Sequence, residues 1–414
     1  MSTEQIEGSL GVAKAVALCH PGVVCAYPIS PQTHIVENLG KFVKGGALKN
    51  CDYLNVESEF AAISVSIGSS AGGLRTYTAT ASQGLLFMTE GIYNASGLGL
   101  PIVMTVASRA IGGPINIWND HSDSLSQRDS GWLQLFCESN QDALDTHIMA
   151  FKIAETVGLP VMVCMDGFVL THAFERLELP TQEQVDAFLP EYEPREYLTP
   201  KDPVSLGSMV GPEAFTEVRF LQQRKMAKAV HVIESVTEEY RKITGHHSGG
   251  LLDCYKCDDA DIKLIIMGST VGTAKDEVDR MRKAGIKVGI ISLKAFRPFP
   301  YEALRKAIGD TKLVVCVERA FSFGGRGIIC PEVKRAMEGT SCEVKTAIAG
   351  LGGRAIFGTT INGIVKAALD GKFKDEMTWF DIDSRVLNSY TKDGEGVTFP
   401  EGPLSDSQLK ASVN

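Results

Sequence analysis

Val23-Val24-Cys25-Ala26-Tyr27-Pro28-Ile29-Ser30-Pro31 reads as a short apolar strand stopped by a proline, with a loop over 28–32 at its carboxyl end. A helix over 11–20, centred on Ala13-Lys14-Ala15-Val16-Ala17-Leu18, precedes it, and another over 33–42 follows. The unit recurs downstream. Tyr53-Leu54-Asn55-Val56 is a strand that opens onto Glu57-Ser58-Glu59 and a small-residue helix over 60–72. A strand over 75–79 runs into Thr80-Ala81-Ser82-Gln83-Gly84, and one over 101–107 ends at Ser108-Arg109. A helix over 143–157 then leads to a strand over 160–165. Repeated β-α alternation predicts an α/β fold with a doubly wound parallel sheet. Such sheets bind ligands outside the carboxyl ends of their strands. Ser30, Glu59, Gln83 and Arg109 all fall at predicted strand ends, which makes that edge the candidate site.

With 414 residues the chain exceeds what one hydrophobic core serves, and two or three domains are expected. The first spans 1–245 and carries an extended arm, rich in Pro, Glu and Asp, at about 175–215. A long charged amphipathic helix over 220–243 closes it. A second α/β unit covers 255–372, with strands over 262–267, 287–293, 312–318 and 343–348. Its turn Gly268-Ser269-Thr270-Val271-Gly272-Thr273 lacks the P-loop lysine and a full GxGxxG, so a structural turn is favoured over an anion site near coenzyme A. The polar remainder, 373–414, is expected to pack irregularly or on a partner.

Hydrophobic content of 44% and charged content of 22% are those of an ordinary globular protein. A net charge of −9 argues against a nucleic-acid binder. No apolar run approaches the ~20 residues of a membrane span. Met1-Ser2-Thr3-Glu4-Gln5-Ile6-Glu7 lacks the basic and apolar regions of a signal peptide, so a cytoplasmic location is expected. In a reducing compartment the ten cysteines read mainly as small buried hydrophobes.

Five blocks stand out: Tyr27-Pro28-Ile29-Ser30-Pro31; Val56-Glu57-Ser58-Glu59-Phe60-Ala61-Ala62; Thr80-Ala81-Ser82-Gln83-Gly84; Arg109 through Trp118, with Gly112-Gly113-Pro114; and Gln127-Arg128-Asp129-Ser130-Gly131-Trp132. Together they resemble the α subunits of 2-oxoacid:ferredoxin oxidoreductases of the pyruvate type, and the resemblance covers most of 10–370. It implies a pyrimidine-type thiamin diphosphate domain followed by a transketolase C-terminal-like domain. It further implies oxidative decarboxylation of pyruvate with coenzyme A to acetyl-CoA, CO2 and reduced ferredoxin.

The residues give each implied role a chemical reason. Thiamin chemistry requires a carboxyl group hydrogen-bonded to the aminopyrimidine, and the family's activating glutamate corresponds to Glu59. A first-turn acid serving the helix dipole is the competing reading. Glu57, two residues earlier, should point away and be structural. A 2-oxo acid presents a carboxylate, which a guanidinium grips with paired hydrogen bonds, and Arg109 matches the family's substrate arginine. An ordinary strand-end salt bridge is the alternative. Ser30 stands where the pyruvate type usually has threonine; its hydroxyl would reach the substrate, in a pocket one methyl roomier. A turn serine explains it on composition alone. Pro28, Ile29, Ser82 and Gln83 would line the cofactor, although a tight β-to-α turn accounts equally well for the Ser82-Gln83-Gly84 block.

Asp120, His121 and Asp123 form a polar cluster, too few and too local to predict a metal. Cys254-Tyr255-Lys256-Cys257 is a single CxxC without a second pair; chance is the favoured explanation, with a redox-sensitive pair or weak metal capture as the alternative. The Gly-Asp-Gly and Asn segment that thiamin enzymes use for Mg²⁺ and the diphosphate is missing, as are ferredoxin-like cysteine clusters. The resemblance therefore implies a split enzyme. This chain offers the pyrimidine half, a β subunit offers Mg²⁺, the diphosphate half and a proximal iron–sulfur cluster, and γ and δ subunits carry further clusters toward ferredoxin or flavodoxin. Two rival expectations are the same reaction on another 2-oxo acid and a non-catalytic assembly subunit. Retention of Glu59 with Arg109 argues against the second.

Overall fold

The computed structural model describes residues 1–373, 377–383 and 385–386. The chain divides into two compact units, Met1–Asp253 with Met267–Ser269 and Leu293–Pro300, and Cys254–Ile266 with Thr270–Ser292 and Tyr301 onward.

The first unit runs β1 (Ser2–Glu7), α1 (Gly8–Leu18), β2 (Val23–Ala26), α2 (Thr33–Lys44), β3 (Asp52–Asn55), α3 (Glu59–Ala71), β4 (Thr76–Thr80), α4 (Ser82–Phe87), α5 (Thr89–Leu98), β5 (Val103–Ser108), α6 (Ser122–Ser126), β6 (Leu133–Phe136), α7 (Asn140–Val157), β7 (Val161–Asp166), β8 (Phe174–Leu179), α8 (Gln182–Phe188) and α9 (Phe215–Thr244). The rest runs β9 (Leu252–Tyr255), β10 (Ile262–Ile266), α10 (Thr270–Lys283), β11 (Val288–Leu293), β12 (Ala295–Arg297), α11 (Tyr301–Ile308), β13 (Leu313–Glu318), α12 (Ile329–Ala336), β14 (Glu343–Ile348), α13 (Gly358–Leu369) and β15 (Thr378–Trp379).

A seven-stranded sheet ordered β12-β6-β7-β5-β4-β2-β3 forms the centre of the first unit. All its pairs are parallel except β12 on β6. Strands β2, β4, β5, β6 and β7 are buried at every position, which is what a sheet covered on both faces demands of them. This is the α/β fold with a parallel sheet that the β-α alternation predicts. Helix α7 is fixed at both ends: Ser139 accepts the Asp142 N–H at 3.1 Å, and Gly158 closes the helix in the left-handed region at φ +65°.

Three features add to or depart from the sequence-based expectations. The N-terminal residues form β1, which pairs antiparallel with β8 from Ser2↔Leu179 to Glu7↔Phe174. The stretch expected to be an extended arm contains α8, started by a capping box between Thr181 and Gln184. Helix α9 begins at Phe215 rather than 220, and its buried residues lie only from Ala229 onward.

The second unit has a six-stranded sheet ordered β15-β14-β13-β10-β11-β9. Val271 and Val278 of α10 and Ile361, Ile364 and Val365 of α13 share a core with Leu264, Ile266 and Val288 from the sheet. Phe373 and Phe380, in the expected tail, join it, whereas 387–414 lie outside the described residues. All ten cysteines are free thiols, and Cys19, Cys25, Cys137, Cys164 and Cys316 are buried. Among the described residues no helix is long and apolar enough to cross a membrane.

Candidate active site

The carboxyl ends of four neighbouring strands, β5, β4, β2 and β3, carry the predicted residues. After β2 the loop turns on Gln32, a buried side chain whose Nε2 donates to the carbonyls of Tyr27 (2.9 Å) and Ala79 (3.3 Å). Pro28 and Ile29 are half-buried in this loop, and Ser30 is exposed at its head. Arg109, ending β5, is buried and reaches across the sheet: Nη1 donates to the Ser30 carbonyl at 2.9 Å, and Nε to the Asn116 carbonyl at 3.0 Å. Two of its five N–H donors are thus used, and donors remain on Nη1 and Nη2. Burial holds this guanidinium below its ordinary pKa, opposed by the nearby Asp123 charge, so an anion brought to it would be favoured.

Glu59 is the first residue of α3, where Ser58 caps the helix by accepting the Ala61 N–H at 3.1 Å. Its side chain is buried at 7% exposure, whereas Glu57 is exposed. The carboxylate makes no hydrogen bond or ion pair within the described chain. Gly84 backs it: a Cβ there would stand 2.7 Å from Glu59 Oε1 and 2.6 Å from Thr80 Oγ1. A buried acid that the fold leaves without a partner costs free energy unless a ligand supplies one. Such a group suits a ligand that offers the carboxyl a hydrogen-bond partner of its own.

Ser82 follows β4 at φ +49°. Its hydroxyl donates to the Ala110 carbonyl at 2.5 Å and also meets Gln83 Oε1. The Gln83 amide lies against Gly112, where a Cβ would fall 1.9 Å from Nε2, so a side chain at 112 would push the Gln83 amide out of its present position. The structure therefore brings Ser30 to Arg109, Ser82 and Gln83 to the 110–112 loop, and Glu59 to Gly84.

Asp123 does more than its position in a polar cluster suggests. Its carboxylate accepts the N–H of Ser82 (2.9 Å), of Arg109 (2.9 Å) and of Ser124 (2.6 Å), tying the ends of β4 and β5 to α6. Burial pushes this carboxyl up to about 6 against those three donors. Its neighbours point elsewhere: Asp120 binds Ser122, and His121 Nε2 lies 2.8 Å from Asp166 Oδ1. Asp166, at the end of β7, escaped the sequence reading; an acid closing an apolar strand, Met165-Asp166-Gly167, is the signal that was there.

Residues 14–241, more than half of the chain, match the family described as pyruvate flavodoxin/ferredoxin oxidoreductase, thiamine diphosphate-binding. The chain belongs to that family. Residues 260–361 match the pyruvate:ferredoxin oxidoreductase core domain II. A pyruvate synthase subunit PorA from Methanosarcina barkeri is 46% identical over 356 residues, covering 85% of this chain and 89% of that protein. A ketoisovalerate oxidoreductase subunit VorA from Pyrococcus horikoshii is 38% identical, covering 91% and 97%. Among solved structures, a 2-oxoglutarate:ferredoxin oxidoreductase from Magnetococcus marinus shares the fold with a TM-score of 0.67 at 20% identity. It covers 89% of this chain, which spans 65% of that one. Membership makes this an oxidoreductase-family chain whose first unit is a thiamin diphosphate-binding domain.

Proposed function

We propose that this chain is the α subunit of a multi-subunit pyruvate:ferredoxin oxidoreductase. The reaction converts pyruvate and coenzyme A to acetyl-CoA and CO2 and passes electrons to ferredoxin or flavodoxin. The observation that carries this reading is the buried, unpartnered carboxylate of Glu59 on the same strand edge as Arg109 and Ser30.

Thiamin diphosphate, when bound, supplies the carbon nucleophile and the electron sink for loss of CO2. The chain's own residues do the rest. Glu59 shares a proton with the aminopyrimidine ring nitrogen from a site with little water to compete. Arg109 binds the substrate carboxylate through its remaining Nη donors. Ser30 offers a hydroxyl to the carboxylate or keto oxygen, and Pro28, Ile29, Ser82 and Gln83 line the cofactor. Mg²⁺, the diphosphate half and a proximal iron–sulfur cluster belong to a β subunit, and further clusters to γ and δ subunits. Residues 1–245 serve as the pyrimidine-type domain, with the arm at about 175–215, and 255–372 as the transketolase C-terminal-like domain. The complex works in the cytoplasm.

A second reading keeps the reaction and changes the substrate to a larger 2-oxo acid. Serine at position 30 favours it by opening the pocket by one methyl, and the ketoisovalerate-type relative makes it concrete.

The test is anaerobic turnover of the purified native complex on a panel of 2-oxo acids, with coenzyme A-dependent reduction of a low-potential dye. Wild type runs beside Glu59→Gln. Pyruvate turnover that collapses in the variant while the subunits still co-purify supports the reading. Full activity in the variant removes Glu59 from the chemistry, and turnover confined to a branched 2-oxo acid moves the assignment to the second reading.

A further inference from the structure

Apart from the strand-edge site, three side chains of metal-ligand type converge among the described residues of the first unit. Glu7 ends β1, His34 lies in the first turn of α2, and His172 sits between β7 and β8. One ligand atom from each lies within 4.8 Å of the others. The Glu7 carboxylate is 2.7 Å from His34 Nδ1, and the two imidazole rings stack with centroids 4.7 Å apart.

The backbone around two of these residues is fixed independently of their side chains. The β1–β8 register sets Glu7 opposite Phe174. The Gly8 N–H donates to the Ala173 carbonyl at 3.0 Å, and Ser9 donates to the Thr171 carbonyl through both its N–H (2.9 Å) and its hydroxyl (2.7 Å). The His172 ring is held as well. Its Nδ1 is 2.7 Å from Thr171 Oγ1, which also accepts the Phe168 N–H at 2.8 Å, and the Phe168 ring packs against it at 4.8 Å. A histidine whose Nδ1 is engaged by such an outer partner presents Nε2 for coordination.

We propose that Glu7, His34 and His172 form a divalent-cation site of the zinc class. Two imidazoles and a carboxylate are a borderline nitrogen and oxygen set, which suits Zn²⁺ with water as the fourth ligand. Metal–ligand bonds of about 2.0–2.2 Å place tetrahedral ligand atoms about 3.3 Å apart, so the widest separations here must close by up to about 1.5 Å, within reach of side-chain rotation. A bound ion would clamp β1, α2 and the β7–β8 connection together. The site uses none of Glu59, Arg109 or Ser30, so it stands whether or not the catalytic reading does.

The experiment is Zn²⁺ binding to the full-length chain by equilibrium dialysis against a competing chelator, followed by metal counting. A Cys254→Ser background removes the CxxC as a rival zinc trap. The expected result is one Zn²⁺ per chain, lost in His34→Ala and in His172→Ala and weakened about tenfold in Thr171→Val. Zn²⁺ should also raise the thermal midpoint of the Cys254→Ser protein and leave that of the two histidine variants unchanged. His34 is exposed, so its variant keeps the fold, which circular dichroism without metal verifies. No stoichiometric zinc in the Cys254→Ser protein, or the same zinc count in both histidine variants, overturns the proposal and leaves the Glu7–His34 contact as a simple ion pair.

Discussion

Arg109 Nη1 donates to the backbone carbonyl of Ser30, not to its hydroxyl, across 2.9 Å. The Arg109 arm is therefore positioned by main chain, and on the proposed function the Ser30 hydroxyl is left to meet the substrate. Ser30→Ala should keep stability within about 0.5 kcal/mol, while KM for the 2-oxo acid rises roughly tenfold from one lost hydrogen bond. Ser30→Thr should shift the preference toward pyruvate over branched acids. Arg109→Lys removes the forked geometry and should lower kcat/KM by about a hundredfold or more. Steady-state kinetics on a 2-oxo acid panel measures all three, and an unchanged KM in Ser30→Ala would deny the hydroxyl a role.

Gly84 gives the Glu59 carboxylate its room. In Gly84→Ala the new methyl would collide with Glu59 Oε1 at 2.7 Å and Thr80 Oγ1 at 2.6 Å. Overpacking of this kind costs about 1–3 kcal/mol. Displacing the acid by even a fraction of an ångström should also cut turnover at least tenfold. Calorimetry and kinetics on the same preparation separate the two effects; normal turnover would mean that the acid need not stay where it is.

Asp123 links the site to pH. Its carboxyl is raised by burial to about 6 from an ordinary 3.8. The folded state therefore keeps this proton longer than the unfolded chain does. Between about pH 4 and 6 the folded state binds more protons, and stability falls as pH rises. The full difference is about 3 kcal/mol. The stability of wild type minus that of Asp123→Asn should shrink by that order between pH 4 and pH 7, read from denaturant melts of the first unit. A difference that stays flat across the series would contradict the raised value.

Arg75 anchors the entry to β4. It makes a two-pronged ion pair with Glu155 (2.6 and 3.1 Å) and donates to the carbonyls of Cys19 (2.7 Å) and Pro190 (2.8 Å). Both partners are largely buried, so Arg75→Ala strands a carboxylate and two carbonyls. The expected loss is about 3–5 kcal/mol, visible as a lowered unfolding midpoint. Arg75→Ala with Glu155→Ala should recover part of it, and a double variant no better than the single would reassign the cost to the carbonyl contacts.

By itself the sequence determined the alternation of apolar strands with small-residue helices, and hence the parallel sheet. It also located several strand ends, because Pro28, Ser58 and Gly84 are local punctuation that short-range sterics and capping enforce. Glu59 was legible as a helix-start acid, but its isolation was not: only the packing of α3 against α4 leaves the carboxylate buried with glycine behind it. The antiparallel β1–β8 pair joins residues more than 160 positions apart, and no local pattern encodes such a pairing. The convergence of Asp123 on Ser82 and Arg109, and of Glu7 with His34 and His172, likewise depends on strand order and helix packing. Chain periodicity specifies each element and its buried face. Which distant polar groups meet at the strand ends is decided only when those faces are packed together, because leaving a buried donor or acceptor unpaired is costly and most of them find partners there, Glu59 being an exception.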